Sequence, residues 1–298
     1  MLVDSLSDTL ERAGGHATVD AVLGREAPWG LEFTGTDALV VHVLLRGRAG
    51  FVRGVTTTPL GPGDVILVRG GQPYLLASSI VAPREQFLRE SASASNPDRA
   101  PSDVDVACGT YTLAEVAARR LLDAMPTEIV LRGDQHAPTL DSVVESLRAE
   151  AAASAPGRQA ALDSALGLLV VHVLRHVALR GTELAPGLLR ALGDPALASA
   201  LDAVHRSPCG DWTVASMADQ AGLSRAGFAR RFSHTLGETP IAYVTRLRVE
   251  RAEQLLLTSH APLSSVAAET GFSSEFALAD AFKRRHGTPP GRWRRLSR

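Results

Sequence analysis

A stretch of helix-forming character, TVASMADQAGLS (213–224), recurs 49 residues later as PLSSVAAETGFS (262–273). The register continues: FSHTLGETP (232–240) matches FKRRHGTPP (282–290), with one extra residue before the second closing Phe. An internal repeat constrains a fold more than any composition does, because each copy must be the same supersecondary unit. Here each copy reads as helix, Gly turn, helix, the helix-turn-helix pattern. Val214, Met217 and Ala218, with Leu263, Val266 and Ala267, fall at core spacing in the first helices. Phe228 and Phe232, with Leu278 and Phe282, do so in the second. Gly222, Gly237, Gly271 and Gly287 are expected to close helices, and Ser224 and Ser273 to cap them.

Between the copies lies a single helical stretch from Pro240 to Leu257, about 27 Å long at about 1.5 Å per residue. Such a rod can carry two recognition helices about 34 Å apart, one turn of B-DNA, on one duplex face. Charge agrees with an anionic partner. Residues 190–298 hold 15 Arg and Lys against 10 Asp and Glu, whereas residues 1–189 hold 16 against 22. A basic half beside an acidic half suggests nucleic acid, although chance segregation produces the same balance. Arg246, Arg248 and Arg251 decorate the connecting stretch. Arg284, Arg285, Arg292, Arg294 and Arg295 crowd the end. Two helical hairpins of an ordinary bundle would share the helix pattern but have no reason to repeat in register within a basic segment.

At these residues the chain resembles the DNA-binding domain of the AraC/XylS family of bacterial transcription regulators. The resemblance spans 200–298 and rests on WTVASMADQAGLSRAGFARRFSHTLGETPIAYVTRLRVERAEQLL and VAAETGFSSEFALADAFKRRHGTPPGRWR. It implies double-stranded promoter or operator DNA as partner and an exposed face on each recognition helix. In the first unit that face is Ser224, Arg225, Ala226, Ala229 and Arg230. In the second it is Ser273, Ser274, Glu275, Phe276, Ala279 and Asp280, with Lys283 and Arg284 beyond. Asp280 stands where the first copy presents Arg230.

The first half reads differently. ALVVHVLLRG (38–47), AGFVRG, DVILV, YLLA and VDVACGTYTL (104–113) are short β-rich runs punctuated by Gly and Pro, the pattern of a sandwich or barrel. Residues 82–103 are polar and expected to form a loop. Helices are expected at 113–125, 139–154 and 157–180, and a linker at 181–195. This half resembles, less specifically, the cupin-like sensor domain of some AraC/XylS regulators. The expected architecture is therefore α+β and multidomain: a cupin-like barrel over 1–125, a helical, dimer-forming extension over 126–185, and an all-α domain with two helix-turn-helix units over 196–298.

Metal-binding cupins gather several His and an acid. Here the strand 38–47 offers His42, and Tyr74 follows GGQP where such cupins often carry a second His. His42 reads as a core residue or, with Tyr74, as a group orienting a small-molecule effector. His172 and His176 have the i,i+4 spacing that can share Zn²⁺, but no third ligand is near in sequence. No metal or other cofactor is expected. Cys108 and Cys209 form no disulfide framework. Nucleophile signatures, phosphate loops and dinucleotide fingerprints are missing, so enzyme activity is not expected. MLVDSLSDTLERAGG is acidic and amphipathic, without the basic and apolar regions of a signal peptide. No run of 18 apolar residues suggests a membrane span. The expectation is a cytoplasmic, dimeric, ligand-responsive DNA-binding regulator. The alternatives are a thiol- or metal-based redox regulator using Cys108, and a cupin enzyme fused to a DNA-binding domain.

Overall fold

The computed structural model describes residues 4–34, 38–70, 72–78, 102–113, 121, 124–180 and 184–296. Two compact units emerge: Ala13–Val177, and Met1–Arg12 together with Ala178–Arg298. The units divide elsewhere than composition suggests, because the helix Ser5–Arg12 groups with the C-terminal half. The loop expected at 82–103 and the helix expected at 113–125 lie mostly outside the described residues.

The unit Ala13–Val177 is built on strands β1 (His16–Arg25), β2 (Gly30–Phe33), β3 (Leu39–Arg46), β4 (Ala49–Arg53), β5 (Thr56–Leu60), β6 (Val65–Arg69), β7 (Tyr74–Ala77), β8 (Val104–Thr112) and β9 (Glu128–Leu131). One sheet runs β1-β8-β3-β6-β9 and the other β2-β7-β4-β5. Side chains from both, including Leu31, Leu44, Phe51, Ile66, Tyr74, Leu76 and Val106, share one core. β1 alternates buried and half-buried residues, as a half-covered strand should. Its pairing with β8 slips between Val19 and Ala21, a bulge. The Val19 N–H there donates to Asp163 (2.7 Å), and Gln159 donates to the Val19 carbonyl (2.9 Å). Both partners lie on the long helix Arg158–Arg180.

β1 and β9 are not expected from the sequence. β1 carries Asp20, Gly24 and His16 within its apolar alternation, and β9 is only four residues long. α2 (Pro138–Ala152) and α3 (Arg158–Arg180) follow. Arg148 on α2 donates Nε to the Leu45 carbonyl (2.9 Å) and so ties the helix to β3. Among the described residues α3 is the one helix long and apolar enough to cross a membrane. It is a core helix here, burying Leu162, Leu166, Leu169, Val170 and Val173.

In the second unit, α1 (Ser5–Arg12) joins α4 (Leu188–Leu192), α5 (Pro195–Arg206), α6 (Val214–Gln220), α7 (Arg225–Leu236), α8 (Pro240–Thr258), α9 (Leu263–Glu269), α10 (Glu275–His286) and α11 (Pro290–Leu296). The stretch expected to be a plain linker, 181–195, thus contains α4, which fully buries Leu189. α8 supports two separate cores. Its first half gives Tyr243, Val244 and Leu247 to a core with Leu197, Leu201, Met217, Phe228 and Phe232. Its second half gives Val249, Ala252 and Leu256 to a core with Val266, Leu278, Ala281 and Phe282. Each fully buried Phe stabilises its core by about 1.5–3 kcal/mol.

Candidate nucleic-acid interface

The two helices expected to face DNA are α7 and α10. α7 starts at Ser224, whose hydroxyl accepts from the Gly227 N–H (3.2 Å). α10 starts at Ser274, whose hydroxyl accepts from the Ala277 N–H (3.2 Å). The expected cap, Ser273, therefore gives way to Ser274. The extra residue of the second copy falls in the turn and shifts the helix start by one. Gly237 and Gly287 end the two helices.

Anchoring one face exposes the other. Phe228 and Phe232 bury one side of α7, and Leu278 and Phe282 one side of α10. Ser224, Arg225, Ala226 and Arg230 are left exposed and Ala229 half-buried. On α10, Phe276, Asp280, Lys283 and Arg284 are exposed, as is Ser273 in the turn before Ser274, while Glu275 and Ala279 are half-buried. Phe276 is 78% exposed. An exposed Phe beside polar neighbours suits apolar contact with a thymine methyl. Asp280 faces Arg284 at 3.5 Å.

Several arginines that composition counts toward an anionic partner are engaged within the protein. Arg246 binds Glu238 (3.0 Å) and Glu250 (3.1 Å) and lies 4.6 Å over the Tyr243 ring. Arg248 donates to the carbonyls of Pro208 (3.0 Å) and Gly210 (2.6 Å). Arg285 binds Glu250 and Glu253, and Arg294 donates to the Ala261 carbonyl. Arg225, Arg230, Arg251, Lys283, Arg284, Arg292 and Arg295 stay exposed. The sequence-level charge was real, but only part of it faces outward.

The structure brings His42 and Tyr74 together in the barrel core. The Tyr74 hydroxyl lies 2.7 Å from His42 Nε2, and Cys108 Sγ lies 3.1 Å from His42 Nδ1. Phe33 stacks on Tyr74 and tilts against His42. Burial pulls the His42 pKa down to about 3, so the ring is neutral at pH 7, one nitrogen donating and the other accepting. Burial pushes the Cys108 thiol up to about 12, which keeps it in the unreactive protonated form. Cys209 donates to the Glu269 carbonyl (3.0 Å). Among the described residues no three His, Cys, Asp or Glu side chains are grouped to hold a metal.

Sequence reasoning missed Glu250, a buried carboxylate on α8 that binds Arg12, Arg246 and Arg285. A signal was present: Tyr243, Leu247 and Glu250 follow the four-and-three spacing of a buried stripe, so an acid there calls for buried cations.

Comparison with known proteins agrees with this architecture. Residues 4–179 match the family described as Cupin, and residues 217–296 a helix-turn-helix domain family. A Streptomyces lividans protein named as an AraC-like transcription regulator is 31% identical, with 98% of each chain covered. The transcriptional regulator AlkR of Acinetobacter baylyi is 29% identical over 91% of this chain and 92% of its own. The crystal structure of the DNA-binding domain of AdpA with a target DNA matches at 32% identity. It covers 35% of this chain and 92% of that one, with a TM-score of 0.33. The chain belongs to the AraC-like transcription regulators and pairs a cupin-like N-terminal domain with an AraC-type DNA-binding domain.

Proposed function

We propose that this regulator reads its operator mainly through α7 and responds to a small molecule held by the barrel unit. The observation that carries the reading is the exposed pair Arg225 and Arg230 on a helix whose opposite face is locked by Phe228 and Phe232. Arginine is the side chain that best reads guanine in the major groove. α10, through Phe276, Lys283 and Arg284, adds apolar and phosphate contact.

For the effector, two locations compete within the barrel unit. His42 and Tyr74 are buried and bonded to each other, so a ligand between them must first separate them. An open pocket of about 340 Å³ lies instead among Leu45, Arg46, Pro62, Asp105, Arg148 and Ala152, a size suited to a small molecule. The buried, protonated Cys108 favours effector binding over thiol chemistry. A homodimer fits α3, which leaves Leu168 48% and Leu179 77% exposed. Action on DNA places the protein in the cytoplasm.

Footprinting on DNA upstream of the protein's own gene, with and without cell metabolites, tests the reading. The expected result is two protected segments about one helical turn apart whose occupancy changes with a metabolite fraction. Binding should also weaken steeply with added salt. No protection, or occupancy indifferent to every fraction, would sink it.

A further inference from the structure

The DNA-binding unit contains a helix from the opposite end of the chain. α1 buries Leu6 and Leu10 and packs on α5. At its start, Ser5 is fully buried, and its N–H and hydroxyl both donate to Asp202 Oδ1, at 2.8 and 2.7 Å. In the middle, Asp8 binds His205, whose other ring nitrogen lies 2.6 Å from the Tyr243 hydroxyl. At its end, Arg12 reaches Asp8 (2.9 Å) and Glu250 (3.2 Å).

Glu250 is where this helix meets the second reader. The carboxylate is 3% exposed and sits midway along α8. Its Oε1 accepts from Arg246 (3.1 Å) on the same helix and from Arg285 (3.0 Å) on α10. Its Oε2 accepts from Arg12. Burial alone would raise the carboxyl pKa. The three arginines outweigh that and hold it below the ordinary carboxylate range, so the group is an anion shared by α8, α10 and α1. Glu253 takes a further part of the load at α10, binding Arg285 (3.1 Å) and His286 (2.6 Å).

We propose that α1 is a positioning element of the DNA-binding domain: Arg12, by holding Glu250 Oε2, fixes the carboxylate against which Arg285 sets the second recognition helix. α7 has no such tie. Its pin is Arg231 on Asp194, at the start of α5. Loss of the Arg12 contact with Glu250 therefore alters reading by α10 more than reading by α7. Residues 13–15 alone join α1 to β1, so this helix is also a covalent link between the sensing and reading units. The inference rests on the proposal that both recognition helices contact DNA.

The test uses the full chain and a duplex selected from random sequence with the wild-type protein. The footprint segment belonging to α7 is identified as the one whose base preference changes in Arg230→Ala. Arg12→Gln should weaken protection of the other segment about five-fold and relax base preference there, leaving the α7 segment as it was. Arg12→Lys should restore most of the loss. Amide exchange should quicken in α10 and not in α7. Equal weakening of both segments, or wild-type protection of both in Arg12→Gln, would overturn the proposal. A wild-type footprint lacking the second segment overturns the two-reader assumption itself, and is recognised before any variant is made.

Discussion

The two helix-turn-helix units share a sequence skeleton and differ in almost everything that touches the skeleton from outside. Met217, Ala218, Phe228 and Phe232 in one, and Val266, Ala267, Leu278 and Phe282 in the other, fill equivalent core positions. The first unit leans on α5, with Leu197, Leu201 and Val204 behind it. The second leans on the end of α8 and on Trp293 of α11. The outer face of α7 exposes Arg225 and Arg230, and that of α10 exposes Phe276, Asp280, Lys283 and Arg284. Core positions must interlock at fixed volume, so duplication preserves them. Exposed positions carry no such constraint and are free to diverge toward different contacts.

The turn glycines give the sharpest way to break this comparison. Both have left-handed backbone, φ +63° at Gly222 and +77° at Gly271. A Cβ at Gly222 would meet nothing within 4 Å. At Gly271 it would lie 2.8 Å from both the Cα and the carbonyl oxygen of Cys209. Gly222→Ala therefore carries only the conformational strain of a non-glycine residue, about 1 kcal/mol. Gly271→Ala adds a clash against backbone and should cost about 3 kcal/mol or more. Urea unfolding of the two variants measures the difference. Equal losses would mean that the 205–212 segment yields, and that the second turn is no more confined than the first.

The same glycines show what was legible in the sequence. The helices, their order and their core residues follow from local periodicity and turn chemistry, which the repeat states twice. The strands with continuous β-branched runs, such as β3 and β6, are equally plain. β1 is not, because Asp20 and Gly24 interrupt its apolar alternation and its bulge amide is satisfied by Asp163, far along the chain. The exposed reading face was legible as a pattern, but its true charge was not. Arg246, Arg248 and Arg285 count as basic in any composition, and only their carboxylate and carbonyl partners reveal them as internal ties. The cap at Ser274 rather than Ser273 hung on one residue in a turn, where local sequence is least decisive. The docking of α1 joins residues more than 190 positions apart, a distance no periodicity can bridge.

If α7 is the dominant reader, Arg230→Ala should weaken operator binding by about 1–3 kcal/mol and relax preference at one base pair. Lys283→Ala, an exposed cation on α10, should instead weaken binding to all sequences alike and lower the salt dependence by about one counterion. A binding titration of each variant against operator and scrambled duplex, at two salt concentrations, separates the cases. If Lys283→Ala is the variant that changes sequence preference, the roles assigned to the two readers are reversed.

The smallest effect concerns Asp280, the acid standing opposite the first unit's Arg230. Its side chain and that of Arg284 are 68% and 70% exposed and 3.5 Å apart, so the pair contributes only about 0.2–0.5 kcal/mol to the helix. Asp280→Asn should leave stability nearly unchanged. On DNA the change works through charge. Removing an anion from a face near phosphates, and freeing Arg284 from its partner, should tighten binding modestly and across all sequences. That outcome makes the second unit a backbone-directed partner to a base-reading first unit. A carboxylate can also accept a hydrogen bond from the cytosine amine. If Asp280→Asn loses affinity at one C·G pair and nowhere else, Asp280 is a base reader. The two units then differ in which base they choose and not in whether they choose one.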